Sequence, residues 1–103
     1  MAYRYKILIT TKARNDIREI ASEIMFISGS KQIADKWYSN LMSNILTLDI
    51  FPNGNPRYRN YKNIRRIKSG KYYVIYEVME RKKIVLVLRV AYARRLFNII
   101  NLK

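Results

Sequence analysis

Residues 72–92 constrain the fold more than any other stretch. From Tyr72 to Val78 nearly every residue is aromatic or β-branched, the composition that suits a pleated, part-buried surface. Strand alternation puts Tyr72, Val74, Tyr76 and Val78 on one face, with Tyr73, Ile75 and Glu77 on the other. Residues 84–92 form a second such run. Ile84, Leu86, Leu88, Val90 and Tyr92 share a face, opposite Val85, Val87, Arg89 and Ala91. The polar link Glu80-Arg81-Lys82-Lys83 is short, so the two runs should pair as an antiparallel hairpin. A third strand is expected at residues 64–68, closed by Ser69-Gly70-Lys71, where Gly70 can supply the positive φ a tight turn often needs. The expected unit is a three-stranded antiparallel meander.

The rest of the chain reads as a cover for this sheet. Tyr3, Tyr5, Ile7 and Ile9 alternate with Arg4, Lys6 and Leu8, which predicts a strand added to the meander. Thr10 or Thr11 can cap the helix that follows. Ala13, Ile17, Ile20, Ile24 and Ile27 recur at spacings of three and four, one apolar stripe of a helix over residues 12–27. Asp16, Arg18, Glu19 and Glu23 fall off that stripe. Ser28-Gly29-Ser30 breaks it, with Gly29 as the helix-ending residue. Ala34, Trp37, Leu41, Ile45 and Leu48 mark a second helix over residues 31–50, widened by Tyr38 and Met42 and stopped by Phe51-Pro52. Trp37 sits at helical spacing on this apolar side, the position of a core residue. The three-residue link makes the two helices an antiparallel hairpin. A short helix carrying Leu96, Ile99 and Ile100 is expected after the last strand. The fold class is α+β, a single domain over residues 1–103 of order β-α-α-β-β-β, with a twisted antiparallel sheet of about four strands packed by the helical hairpin.

Charge narrows the function. Residues 1–49 hold seven Lys/Arg against five Asp/Glu, while residues 50–103 hold fourteen against two, a net of +12. An excess confined to one half points to a polyanionic partner, either nucleic acid or an acidic protein segment. The chain has no cysteine and no histidine. No disulfide, thiolate nucleophile or zinc-thiolate site is available, and the usual neutral-pH base and commonest metal ligand are missing. No metal and no cofactor is expected. No apolar run approaches the roughly 20 residues of a membrane span, and the N-terminus lacks a secretory signal. A cytoplasmic protein with no membrane partner is the expectation.

Two clusters carry candidate chemistry. Residues 52–63 form a loop rich in Asn, Gly and Pro that becomes a basic–aromatic alternation, Arg57, Tyr58, Arg59, Tyr61 and Lys62. Cations between aromatics suit RNA or single strands, where phosphates need charge and exposed bases need stacking faces. The same pattern fits a solvated loop whose tyrosines lie on the sheet, and the sequence leaves both open. Arg65, Arg66, Lys68, Lys71 and Tyr92 extend this set of candidate nucleic-acid contacts. Arg94 and Arg95 lie where the chain leaves the last strand, at a helix start, which disfavours cations unless an anion is near. Arg89 is either a phosphate contact or the partner of Glu77 across the hairpin.

Taken in order, these pieces resemble the RelE/ParE superfamily of bacterial toxins from type II toxin–antitoxin systems. The likeness spans residues 3–100. It rests on YKILITTKARNDIREIASEI, on ADKWYSNLMSNILTLDIFP, and on IRRIKSGKYYVIYEV followed by IVLVLRVAYARRLF. It implies a cognate antitoxin that wraps an acidic or amphipathic segment around the basic body. RelE-like members cleave mRNA on the ribosome without metal, the 2′-hydroxyl attacking the adjacent phosphate while cationic and aromatic side chains position the RNA. ParE-like members inhibit DNA gyrase by binding. The RNA-cleaving pattern implies Arg94, Arg95, Tyr73 and Arg89 as the catalytic set, with arginines stabilising phosphate charge and Tyr73 or Tyr92 stacking on a base or sharing a proton. The chain departs from that pattern at two places. Tyr73 stands where an arginine often follows the tyrosine that starts the third strand, and Phe97 stands where an aromatic hydroxyl usually lies. The leading expectation is ribosome-dependent mRNA cleavage; a ParE-like gyrase inhibitor and a non-toxic nucleic-acid-binding relative are the alternatives.

Overall fold

The protein is represented by a computed structural model that describes residues 4–95. Its elements run β1 (Lys6–Ile9), α1 (Thr11–Ser28), α2 (Lys31–Leu46), β2 (Ile64–Ser69), β3 (Tyr72–Met79) and β4 (Ile84–Tyr92). This is the expected β-α-α-β-β-β order. A 3-10 turn spans Ala93–Arg95; the terminal helix expected around Leu96, Ile99 and Ile100 lies outside the described residues, as does Phe97.

The ends of the helices follow from side-chain chemistry. Thr10 is the N-cap of α1: its Oγ1 accepts the Ala13 N–H at 3.1 Å and donates to the Leu88 carbonyl at 3.1 Å. Gly29 ends α1 at φ +67, returning its N–H to the Met25 carbonyl, a conformation that costs a residue without a Cβ nothing. Ser30 caps α2 by accepting the Ile33 N–H. The second helix stops four residues short of expectation. The Thr47 hydroxyl donates to the Asn44 carbonyl at 2.6 Å, and Thr47–Asp49 tightens into a 3-10 turn that buries Leu48.

The sheet order is β1-β4-β3-β2. The meander β2-β3-β4 is antiparallel, and β1 adds to the remaining edge of β4 in parallel, from Lys6 opposite Ile84 to Ile9 opposite Val87. Parallel addition is possible because a long connection separates the two strands in sequence. One sheet face is sealed by the helices. Val74, Val87 and Val90 pack with Ala13, Ile17, Leu41 and Ile45, while Tyr76, Val78 and Val85 pack with Leu48. Trp37 borders this core, with its ring edge-to-face with Tyr72 at 5.5 Å. Its indole N–H is buried and has no hydrogen-bond partner among the described residues.

Two expectations about packing are corrected. Unbroken alternation would put Leu88 and Val90 on one face, but the β3–β4 register shifts between Ile75 and Tyr76, pairing Ile75 with Arg89 and Tyr76 with Val87. Leu88 is the extra residue of this bulge. It packs on the second face with Ile75 and Ile64, while Val87 and Val90 both reach the helix core. The apolar stripe of α1 also outruns the sheet. Ala13 and Ile17 are buried, but Phe26 and Ile27 are 88% and 82% exposed, because the tip of the helical hairpin overhangs any partner surface.

At the other end, Glu80 ties together three segments of the chain. It accepts from the Tyr5 hydroxyl at 2.8 Å, from Asn53 at 2.5 Å and from Lys83 at 3.1 Å. The Asn53 bond first, then those from Tyr5 and Lys83, lowers its pKa from 4.5 to about 2. A depressed carboxylate stabilises the fold above its unfolded pKa, and that stability is lost as pH falls from about 4.5 through about 2. Glu80→Gln should therefore flatten the decline in urea midpoint over this pH window. Identical pH profiles for the two proteins would contradict the assignment.

Candidate functional site

The second face of the sheet is built by register. Arg66, Ile75 and Arg89 form one cross-strand row, and Lys68, Tyr73 and Ala91 the next. Side chains opposite one another in such rows lie about 4.5–5.5 Å apart at Cβ, so charge and rings interleave. The Arg66 guanidinium lies over the Tyr73 ring, 5.2 Å from its centroid. Lys68 is exposed at the end of β2.

The basic–aromatic loop covers part of this face. Residues 56–58 run back along the outer edge of β2: Tyr58 N–H donates to the Ile64 carbonyl at 2.8 Å, Arg66 N–H donates to the Pro56 carbonyl at 3.0 Å, and Arg57 bridges Arg65. Tyr58 is 1% exposed, lying in a cluster with Ile64, Ile75 and Leu88. The chain then turns through Arg59 at φ +53. This carries the Arg59 guanidinium back over the Tyr58 ring at 5.1 Å, and Tyr61 stacks nearly parallel to Tyr58, with centroids 6.2 Å apart and 2° between planes. Of the two readings left open for the loop, Tyr58 follows the one that lays tyrosines on the sheet. Tyr61, Arg59 and Lys62 remain exposed and form the outer layer.

The other candidates divide. Arg65 is on the helix side of β2 and donates to the Asn55 carbonyl at 2.6 Å. It lies near Tyr76, whose hydroxyl donates to the Pro52 carbonyl at 2.7 Å and accepts from Asn55; burial raises the Tyr76 pKa. Tyr92 pairs with Tyr72 edge-to-face at 5.5 Å, and Tyr72 in turn packs on Trp37. Tyr92 thus belongs to the helix side, across the sheet from Tyr73. Lys71 is exposed in the β2–β3 turn, and Arg94 is exposed beyond β4. The Arg95 side chain lies outside the described residues.

Arg89 does not pair with Glu77, which stands opposite Leu86. Its Nε and Nη2 donate to the two oxygens of Asp16 at 2.7 and 2.9 Å, and Asp16 also accepts the Val90 N–H at 3.0 Å. These hydrogen bonds raise the Arg89 pKa. The physical cause is the end of β1. Past Thr10 the β4 edge has lost its strand neighbour, and the first turns of α1 supply Thr10 and Asp16 in its place. Sequence reasoning set Asp16 aside as an off-stripe residue. The available signal was its position directly beside Ile17, one of the two buried stripe residues of the helix. Among the described residues no group of three His, Cys, Asp or Glu is placed to hold a metal ion, and no helix is long and apolar enough to cross a membrane.

Fold and surface together define a small α+β protein with one sheet face sealed by a helical hairpin and the other basic and ring-bearing. The family model described as ParE toxin of type II toxin–antitoxin system, parDE, matches residues 7–97, and the chain belongs to that family. The fold recurs in a chain of the chromosomal ParDE toxin–antitoxin system from P. aeruginosa, with 18% identity, 86% of this chain and 96% of that chain covered, and a TM-score of 0.75. It recurs in the RelBE2 toxin–antitoxin complex from Mycobacterium tuberculosis, with 21% identity, 86% and 98% covered, and a TM-score of 0.61. The archaeal RelE–RelB complex from Pyrococcus horikoshii gives 16% identity, 89% and 98% covered, and a TM-score of 0.63. At these identities the likeness concerns the fold. No curated sequence is significantly similar.

Proposed function

We propose that this toxin arrests growth by binding its target rather than by cutting RNA, and that the target is DNA gyrase. The observation that carries this reading is the state of Arg89, Tyr73 and Tyr92 among the residues that the RNA-cleaving pattern implies. Arg89 is clamped in both hydrogen bonds by Asp16, Tyr73 is covered by Arg66, and Tyr92 faces away across the sheet. A transphosphorylation needs cations and a proton carrier converging on one phosphate; here Asp16 holds the Arg89 guanidinium and the two candidate tyrosines lie on opposite faces of the sheet. Binding needs only a shaped, charged surface, and the second face offers one. A cognate antitoxin with an acidic segment would silence the toxin by covering the same basic half, which carries a net +12.

Ribosome-dependent mRNA cleavage is the second reading. The interleaving of Arg66, Tyr73 and Lys68 favours it, since rings and cations in alternation suit unpaired bases and their phosphates. Mapping message ends in a translating extract separates the two. The binding reading expects full-length mRNA in the presence of the toxin. Defined cuts that disappear in Arg94→Ala would overturn it in favour of cleavage.

A further inference from the structure

On the helix side of the β2–β3 turn lies a groove of about 480 Å³, walled by α2 and by the turn. That volume falls within the range of about 300–1,000 Å³ typical of small-ligand sites. Trp37 and Tyr72 line it and hold each other edge-to-face, with 66° between their planes. Asn40 and Asn44, one helical turn apart, form the wall from α2. The Asn44 amide is held in place by its bond to Ser69 Oγ at 2.8 Å. Gly70, at φ +60, and Lys71 form the far rim. Among the described residues, no carboxylate lines the groove.

Each of these groups matches one part of one ligand. Aromatic walls stack an unpaired base. A carboxamide offers the adjacent donor and acceptor that read a base edge. A lysine ammonium is a point charge for phosphate, and a glycine at the rim lets the backbone come close to an anion. We propose that this groove binds a single nucleotide unit, its base against Trp37 and Tyr72 and its phosphate at Lys71. The unit is either a free mononucleotide or one residue of a single strand. Lys68 sits just before the turn on the second face, so a strand leaving the groove over Gly70 would meet that cation next. The proposal stands apart from the gyrase reading and does not depend on it.

Trp37 is the chain's single tryptophan, so its emission reports on the groove directly. The full chain is titrated, with excitation at the red edge of the indole band, against AMP, UMP, inorganic phosphate and a short oligouridylate. Saturable quenching by a nucleotide and none by phosphate alone is the expected result. Asn40→Ala and Lys71→Ala alter exposed side chains and should each weaken binding by about tenfold, roughly the loss of one good polar contact, while Arg18→Ala on α1 should leave it unchanged. Equal affinity for mononucleotide and oligonucleotide identifies a free-nucleotide site. Tighter oligonucleotide binding that falls in Lys68→Ala identifies a subsite along a strand. No saturable change with any nucleotide up to millimolar, or quenching indifferent to both Asn40→Ala and Lys71→Ala, would overturn the proposal.

Discussion

Asp16→Ala should lower stability by about 2–4 kcal/mol, an effect out of proportion to a residue on the polar side of a helix. The carboxylate accepts three bonds, two from the Arg89 guanidinium and one from the Val90 backbone. Hydrogen bonds to charged groups contribute about 1.5–3 kcal/mol each way they are counted. Leaving one member of a buried ion pair alone costs about 3–5 kcal/mol. Here the side chains keep 13% and 23% exposure, so water recovers part of that loss and the lower figure applies. In a domain of this size about 1 kcal/mol corresponds to about 4–8 °C in Tm, so the fall should exceed about 8 °C. The double variant Asp16→Ala/Arg89→Met should be more stable than Asp16→Ala alone, since it no longer carries a stranded guanidinium. If instead Glu77→Gln produced the larger loss, the cross-strand pair would be the real one and the clamp wrong.

Tyr58→Ala should cost about 3–5 kcal/mol, the range for removing a large buried ring. Tyr58 heads the fully buried side chains by volume among the described residues, and it packs on Ile64, Ile75 and Leu88 from the loop side. Its loss also removes the surface on which Arg59 and Tyr61 rest. The positive φ at Arg59 is tolerated because those contacts over-determine it, so the loop should detach as a unit. Urea unfolding measures the energy, and amide exchange at residues 58–64 measures the detachment. Slow exchange there in a variant that has lost the ring would show that backbone pairing, rather than Tyr58, holds the loop.

These two residues also mark where the sequence stopped being informative. The β3 faces were legible because every residue from Tyr72 to Val78 obeys the period of two, and the helices because their stripes and caps are local features. The bulge at Leu88 has no local signal. It exists because α1 begins where β1 ends, and Thr10 takes the Val87 and Leu88 carbonyls. The same long-range event chose Asp16 over Glu77 as the partner of Arg89. The parallel addition of β1, the early stop of α2 at Thr47 and the overhang at Phe26 likewise depend on where distant segments meet. For the site, the sequence supplied the residue types. It could not supply the sides: Tyr73 and Tyr92 are 19 positions apart and fall on opposite faces, and Tyr58 points in while Tyr61 points out.

On the proposed reading, this toxin acts by binding gyrase through the second face. The most direct test is a supercoiling assay with relaxed plasmid, gyrase, ATP and micromolar toxin, alongside the Arg66→Glu/Lys68→Glu variant. Supercoils should fail to accumulate with the native chain, and the charge-reversed chain, equally folded, should need at least about tenfold more protein for the same effect. Normal supercoiling in the presence of a toxin that still arrests growth would contradict it.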